Sequence, residues 1–343
     1  MSTTLIANGN VILKDRVLNS ASVEIFGQKI SHIGKKPAAN NTFVIDAKGC
    51  FVSPGFIDTN IHGSPEEIMG NETRYGTTSF VAAVSCGRPV PRISGYRNVL
   101  GIRMEGPYIS KKMAGAQDRR FIKTPSVNGL LKTIKQSEGA VKMITIAPEL
   151  DGAAQVIKMC KDKKIILSIG HSAATYAEAA KMFSSGVKHA THIFNAMSGP
   201  RHGSAGASMA AVFDDSVYAE VIADMKHVKK ELLRLLFTAK PKTRTILITD
   251  SVRARSSGHK KGSNLTMIGA IKNVVKYCGV DLQDAVSMAS LNPARLFGVS
   301  GRKGSIGPGK DADLVIFDKN FDVKMTMIRG KIVYCKKGFV CAA

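Results

Sequence analysis

A chain of 343 residues with 44% hydrophobic content can bury a large core and still build an accessory domain. It contains no window near the ~18–20 uninterrupted apolar residues of a membrane span, and Met1 to Asp15 lack the basic segment and long apolar stretch of a secretory leader. The formal charge of +23 is spread along the chain with only short clusters such as His259-Lys260-Lys261, and 6% aromatic content without Trp gives little support for a base-stacking platform, so a solvated basic surface or steering of an anionic metabolite is preferred to nucleic-acid binding.

The first 52 or so residues alternate short β-like runs with turn signals: Thr4–Ala7, Ser22–Phe26, Ile30–Ile33, Phe43–Asp46 and Cys50–Val52. The C-terminus has the same texture in Asp313–Phe317, Val323–Ile328 and Lys331–Val333, interrupted by Gly304, Gly307 and Gly309. Two β-rich ends around a longer middle predict one small β-sandwich domain built from residues 1–53 and 302–343.

Residues 54–301 are expected to form a second domain. Eight apolar runs mark out its strands: Phe51–Ile57, Thr77–Val84, Leu100–Met104, Met143–Ala147, Ile165–Ile169, Val187–Thr191, Tyr218–Ala223 and Thr245–Thr249. Most intervals carry a helical pattern, as in Asn128–Gln136, Ala153–Lys161 and Lys229–Ala239. Eight βα units predict a (β/α)8 TIM-like barrel with its active site at the carboxyl ends of the strands. Two intervals are thin: Pro89 and Pro91 argue against a full helix between Cys86 and Asn98, and Gly63 to Arg74 leaves room for two or three turns.

Ionisable residues follow the runs where such a site requires them: Asp58 and His62, Glu105, Glu149, His171, His192, Asp224 and His227, and Asp250. His171 and His192 end successive βα units, and right-handed crossovers bring those ends to one side of the sheet. With Glu105 they make the three-ligand complement of an open catalytic metal site. Asp250, closing Ile-Leu-Ile-Thr-Asp, is the candidate general base towards a water and general acid towards a leaving amine. Asp224 and His227 are candidates to touch substrate. Capping a strand or packing in a core is the bland alternative for each residue alone; the joint pattern favours chemistry. Six cysteines (Cys50, Cys86, Cys160, Cys278, Cys335, Cys341) without CxxC spacing suit free thiols in a reducing cytoplasm.

Several blocks carry a family likeness. Pro54-Gly55-Phe56-Ile57-Asp58 followed by Asn60-Ile61-His62-Gly63 resembles the first-strand signature of the amidohydrolase superfamily. Glu105-Gly106-Pro107-Tyr108, Gly170-His171-Ser172, His189-Ala190-Thr191-His192-Ile193-Phe194-Asn195-Ala196-Met197, Thr249-Asp250 and Lys303-Gly304-Ser305-Ile306-Gly307-Pro308-Gly309 are similar to the N-acetylglucosamine-6-phosphate deacetylase family within it. The resemblance implies Glu105, His171 and His192 as metal ligands and Asp250 as catalytic acid/base. It further implies Asn195 and Ala196 on the sugar phosphate, His227 on the sugar, and a homodimer.

Departures from the family pattern shape the expectation. Asn60-Ile61-His62 replaces His-x-His, so one divalent ion per chain is expected, zinc before iron, with His62 auxiliary. Gln117 replaces a histidine that polarises the acetyl carbonyl, and can donate a hydrogen bond without a charge. The phosphate-binding Arg position is Gly203, with Arg201 the neighbouring substitute. Met225 stands where the family has Gly, and Ser251 to Gly262 lacks the usual β insertion. The expected activity is metal-dependent hydrolysis of N-acetylglucosamine 6-phosphate to glucosamine 6-phosphate and acetate. The alternatives are another N-acyl amine as substrate, or a catalytically impaired barrel with a binding role.

Overall fold

The computed structural model describes residues 2–35, 42–252 and 262–339, which divide into two compact units. One comprises Met1–Asp58, Met69–Ser79 and Thr266–Ala343. Its sheet contains β1 (Thr3–Ile12), β2 (Val17–Phe26), β3 (Lys29–Gly34), β4 (Thr42–Asp46) and β5 (Phe51–Pro54). The C-terminal β15 (Leu314–Phe317), β16 (Val323–Ile328) and β17 (Lys331–Cys335) complete the order β17-β16-β15-β5-β1-β2-β3, with β4 also on β1. The two ends of the chain meet where Leu314 pairs with Pro54 and Phe317 with Phe51, antiparallel. Alternating apolar residues such as Val23, Ile25, Ile45, Leu314, Ile316 and Met325 share one buried core, the reason these short strands hold together. A separate sheet built from both termini, as expected, is therefore present.

The second sheet runs β13-β12-β11-β10-β9-β8-β7-β6-β14. Its strands are β6 (Phe56–His62), β7 (Thr77–Ser85), β8 (Val99–Glu105), β9 (Val141–Ile146), β10 (Ile166–Ile169), β11 (His189–Ala190), β12 (Tyr218–Ile222), β13 (Thr245–Ile248) and β14 (Ser251–Val252). Neighbours from β7 through β13 pair in parallel. The first and last strands in that order are consecutive in the chain: β13 passes through Thr249 and Asp250 into β14, which pairs with β6 at Ile61 and His62. The sheet therefore closes on itself, as a (β/α)8 barrel requires.

The connecting helices are α1 (Pro65–Glu72), α2 (Val127–Gln136), α3 (Ala153–Asp162), α4 (Tyr176–Ser184), α5 (Gly206–Phe213) and α6 (Lys230–Ala239), followed by α7 (Met267–Cys278), α8 (Leu282–Met288) and α9 (Leu291–Leu296). Thr175 and Glu178 form a capping box at the start of α4, each side chain accepting from the other's backbone N–H. Between β7 and β8 the chain makes turns rather than a helix, as Pro89 and Pro91 dictate. One expectation needs correction. Phe51–Ile57 is not one strand, because Pro54 and Gly55 break it into β5 of the terminal sheet and β6 of the barrel. The shortened segment after Val252 and the His259-Lys260-Lys261 cluster lie outside the described residues.

The barrel interior is partly polar. Arg103 and Glu220 are fully buried and form a bidentate pair, Nη1 donating to both Glu220 oxygens at 2.8 and 2.7 Å. Arg103 Nη2 donates to Thr191 Oγ1 at 2.9 Å and Nη1 to the Thr59 carbonyl at 3.1 Å. Thr59 Oγ1 donates to Glu220 at 2.5 Å, and His189 Nε2 lies 3.4 Å from the same carboxylate. Arg103 is two residues before Glu105 on β8, so both side chains face the interior, one level apart.

Two stability predictions follow from buried charges. Glu220→Gln leaves the Arg103 guanidinium without its counter-charge, and is expected to cost about 3–5 kcal/mol in urea unfolding. The double change Arg103→Met with Glu220→Leu should recover much of that; no recovery would mean that the pair is not the source. On the barrel's outer layer, Lys240 at the end of α6 donates to the carbonyls of Ala211 (2.7 Å) and Asp214 (2.8 Å) at the end of α5. Burial pulls its ammonium from 10.5 down to about 8. Between those values the unfolded chain binds the extra proton, so this group's contribution to stability rises with pH, and below about 8 the penalty is complete. Lys240→Met should flatten the pH dependence of stability in that window; an unchanged slope would contradict the assignment.

Candidate active site

Four of the residues expected at the site stand at or just beyond strand ends. Glu105 is the last residue of β8, while His171, His192 and Asp250 each follow the ends of β10, β11 and β13 by two residues. The last three have positive φ, at 47°, 27° and 48°, a region that L side chains adopt only when the surroundings hold them there. The sharp exits need glycine at two neighbouring positions. A Cβ on Gly170 would lie 2.7 Å from Thr191 Cβ, and Gly106 combines φ of 102° with a Cβ position 2.4 Å from Cys86 Sγ.

His171 and His192 approach with their Nε2 atoms 3.2 Å apart, and His192 Nε2 lies 3.5 Å from Glu105 Oε1. His171 Nδ1 donates to the Met113 carbonyl at 3.0 Å, the tautomer that leaves the Nε2 lone pair directed at its partner. Two ring nitrogens and a carboxylate oxygen converging within 4.8 Å form a donor set that fits a divalent cation. A second group, His62, Glu105 and Asp250, meets the same distance limit and shares Glu105. His62 Nε2 is 3.5 Å from Asp250 Oδ1 and 3.8 Å from Glu105 Oε2.

The electrostatics are those of a buried carboxylate ringed by imidazoles. Burial alone would raise the Glu105 carboxyl, but His192, His62 and His171 outweigh it and hold it well below the usual range. Burial and the neighbouring His192 together push His171 down, which favours the neutral ligand form.

Two amides complete the surroundings of Glu105. Asn60 Nδ2 donates to Oε1 at 3.1 Å and Gln117 Nε2 donates to Oε2 at 2.7 Å. Gln117 sits on the segment after β8, which is anchored by a small apolar cluster of Cys86, Ile109, Ala114 and Ile122. Ala196 (φ 47°) approaches His171 around Gly115, whose Cβ position would lie 3.1 Å from Ala196 Cβ and 3.3 Å from His171 Cε1. Asn195 turns its amide back towards the His192 and Ile193 carbonyls. His227 stands apart from the donor group, paired through Nδ1 with Asp224 Oδ2 at 2.7 Å. Arg201 is on an exposed hairpin closed by backbone bonds with Ser204. The contacts of Asn60 and Met113 with the donor group escaped the sequence reading. The carboxamide substituted at Asn60 for a superfamily histidine was the available signal; nothing local marked Met113.

The model of the amidohydrolase family matches residues 51–333. The N-acetylglucosamine-6-phosphate deacetylase of Bacillus subtilis (strain 168) is 31% identical, over 97% of this chain and 98% of that protein. The N-acetylgalactosamine-6-phosphate deacetylase of Escherichia coli O157:H7 is 29% identical, over 81% and 86%. The crystal structure of the Pasteurella multocida N-acetylglucosamine-6-phosphate deacetylase superposes with a TM-score of 0.88 at 27% identity, covering 97% of this chain and all of that one.

Proposed function

The chain belongs to the amidohydrolase family, and from that premise we propose that it deacetylates N-acetylglucosamine 6-phosphate, releasing acetate and glucosamine 6-phosphate. The observation that carries the reading is the convergence of Glu105, His171 and His192, with Asp250 facing the same carboxylate through His62. Glu105 Oε1 and the two Nε2 atoms would hold one divalent cation. Such a cation supplies Lewis acidity and lowers the pKa of a water beside the substrate.

The chain's own residues account for the rest of the chemistry. Asp250 takes a proton from the attacking water at a carboxylate oxygen and returns it to the amine nitrogen as the C–N bond breaks. His62, 3.5 Å from Asp250 Oδ1, steadies that carboxylate. Asn195 and Ala196 present the turn that would receive the sugar phosphate, and His227, fixed by Asp224, would reach the sugar.

Without an arginine at Gly203, charge around the phosphate must come from elsewhere. Arg201 is one source. The segment carrying Met113 and Gln117 offers others, exposing Lys111, Lys112, Arg119, Arg120 and Lys123, of which Arg120 is paired with Asp118 at 2.6 Å. Zinc suits the mixed nitrogen and oxygen donors, with ferrous iron the second choice. The reading extends to a homodimer acting in the cytoplasm, the compartment being supported by thiols at Cys50, Cys86 and Cys160 that form no disulfide. No helix among the described residues is long and apolar enough to cross a membrane.

A second reading keeps the chemistry and changes the substrate to an unphosphorylated or different N-acyl amine; Gly203 and Met225 favour it. Acetate release separates the two. The expected result is a kcat/KM for N-acetylglucosamine 6-phosphate well above that for the unphosphorylated sugar, and equal values would overturn the phosphate assignment. Asp250→Asn should lower kcat by about 10²–10⁴-fold with metal content unchanged. Near wild-type turnover would rule out Asp250 as the proton carrier. Exhaustive chelation should abolish activity, and zinc should restore it.

A further inference from the structure

The two oxygens of Glu105 face different donor groups. Oε1 is the atom 3.5 Å from His192 Nε2, and Oε2 is the atom 3.8 Å from His62 Nε2. Each also accepts one neutral amide, Oε1 from Asn60 and Oε2 from Gln117. We propose that Gln117, assisted by Asn60, is a positioning residue that clamps Glu105, committing Oε1 to a cation shared with His171 and His192 and withholding Oε2 from a second cation at His62 and Asp250.

Gln117 is fixed at both ends. Its Oε1 accepts the Cys86 backbone N–H at 2.8 Å, and because that group can only donate, the amide nitrogen must point at Glu105. The side chain is 8% exposed, so water competes poorly for the bond. A 2.7 Å bond from a buried amide occupies one of the two lone pairs of Oε2, the oxygen that a cation beside His62 would need. Such a cation would have to compete with the 2.7 Å Gln117 bond, whereas one on the His171 and His192 side meets only the longer 3.1 Å bond from Asn60. Asn60, fully buried, leans on Oε1 more weakly at 3.1 Å and fixes the carboxylate plane. Outer partners of this kind govern the orientation of a ligating carboxylate, and their loss typically weakens metal binding by 10–100-fold.

The inference rests on the metal-centre reading and is tested by zinc binding, apart from turnover. Apoprotein of the full chain and its Gln117→Met variant, which keeps the side chain's bulk without its amide, are titrated with zinc against a chromophoric chelator. The expected result is one equivalent for the wild type and a zinc affinity reduced about 10–100-fold in the variant, with the variant apoprotein folded and kcat, rather than KM, lowered. Zinc bound by the variant as tightly as by the wild type would overturn the clamp alone, as would two tight equivalents in the wild type. A wild-type chain that takes up no zinc would overturn the metal-centre reading and the clamp with it. Should Gln117→Met fail to fold, Asn60→Ser serves in its place, with reduced zinc affinity again the supporting outcome and unchanged affinity the opposing one.

Discussion

The bidentate contact between Arg103 and Glu220 constrains the barrel most. These residues sit on β8 and β12, four places apart in the strand order, so their side chains can meet only across a closed interior. The same guanidinium reaches β6 through Thr59 and the exit of β11 through Thr191. One charged group therefore ties four of the strands that carry the site's residues. A buried ion pair is a weak source of net stability, because desolvation offsets most of the attraction. Its value here lies in register: a slip of one residue on β8 would send both Arg103 and Glu105 to the wrong face.

Above that layer, the site depends on backbone conformations that the sequence does not favour locally. His171, His192 and Asp250 each hold positive φ, a strain of order 1–3 kcal/mol apiece. Packing holds them there. The His171 carbonyl accepts from Ser110 N at 2.8 Å, the His192 carbonyl from Asn195 N at 2.9 Å, and Asp250 N donates to the Asn60 carbonyl at 2.9 Å. The result is that side chains from separate strand ends point inwards before any ligand arrives, so little reorganisation remains for binding to drive.

Much of this was legible in the sequence, for a definite reason. Strand-ending ionisable residues recur with the βα period, and parallel topology fixes where such ends must lie, so Glu105, His171, His192 and Asp250 could be grouped without coordinates. The two β-rich termini were equally plain. Harder features depended on contacts between distant positions. Phe51–Ile57 reads as one apolar run, and only the partners of each half distinguish β5 from β6. Arg103 is a charge inside an apolar strand whose counter-charge lies 117 positions away, and no spacing rule links them. Gln117 could be matched to a family position, but the direction of its amide is decided by the Cys86 backbone N–H, which the fold of residues 106–122 alone brings within reach.

The two carboxamides share a physical logic. Asn60 and Gln117 occupy positions where the resemblance leads one to expect imidazole, and both direct N–H groups at Glu105. An imidazole presents a ring nitrogen that can bind a cation or carry a proton, whereas a primary amide donates without titrating and is a poor ligand through nitrogen. Exchanging one for the other preserves hydrogen bonding to the carboxylate while removing donor atoms and titratable charge from its surroundings. The negative charge of Glu105 is then faced on one side by His192 and on the other by His62, which lies between Glu105 and Asp250. His62, 3.5 Å from Asp250 Oδ1, thus sets an imidazole beside the second carboxylate of the cluster as well as the first.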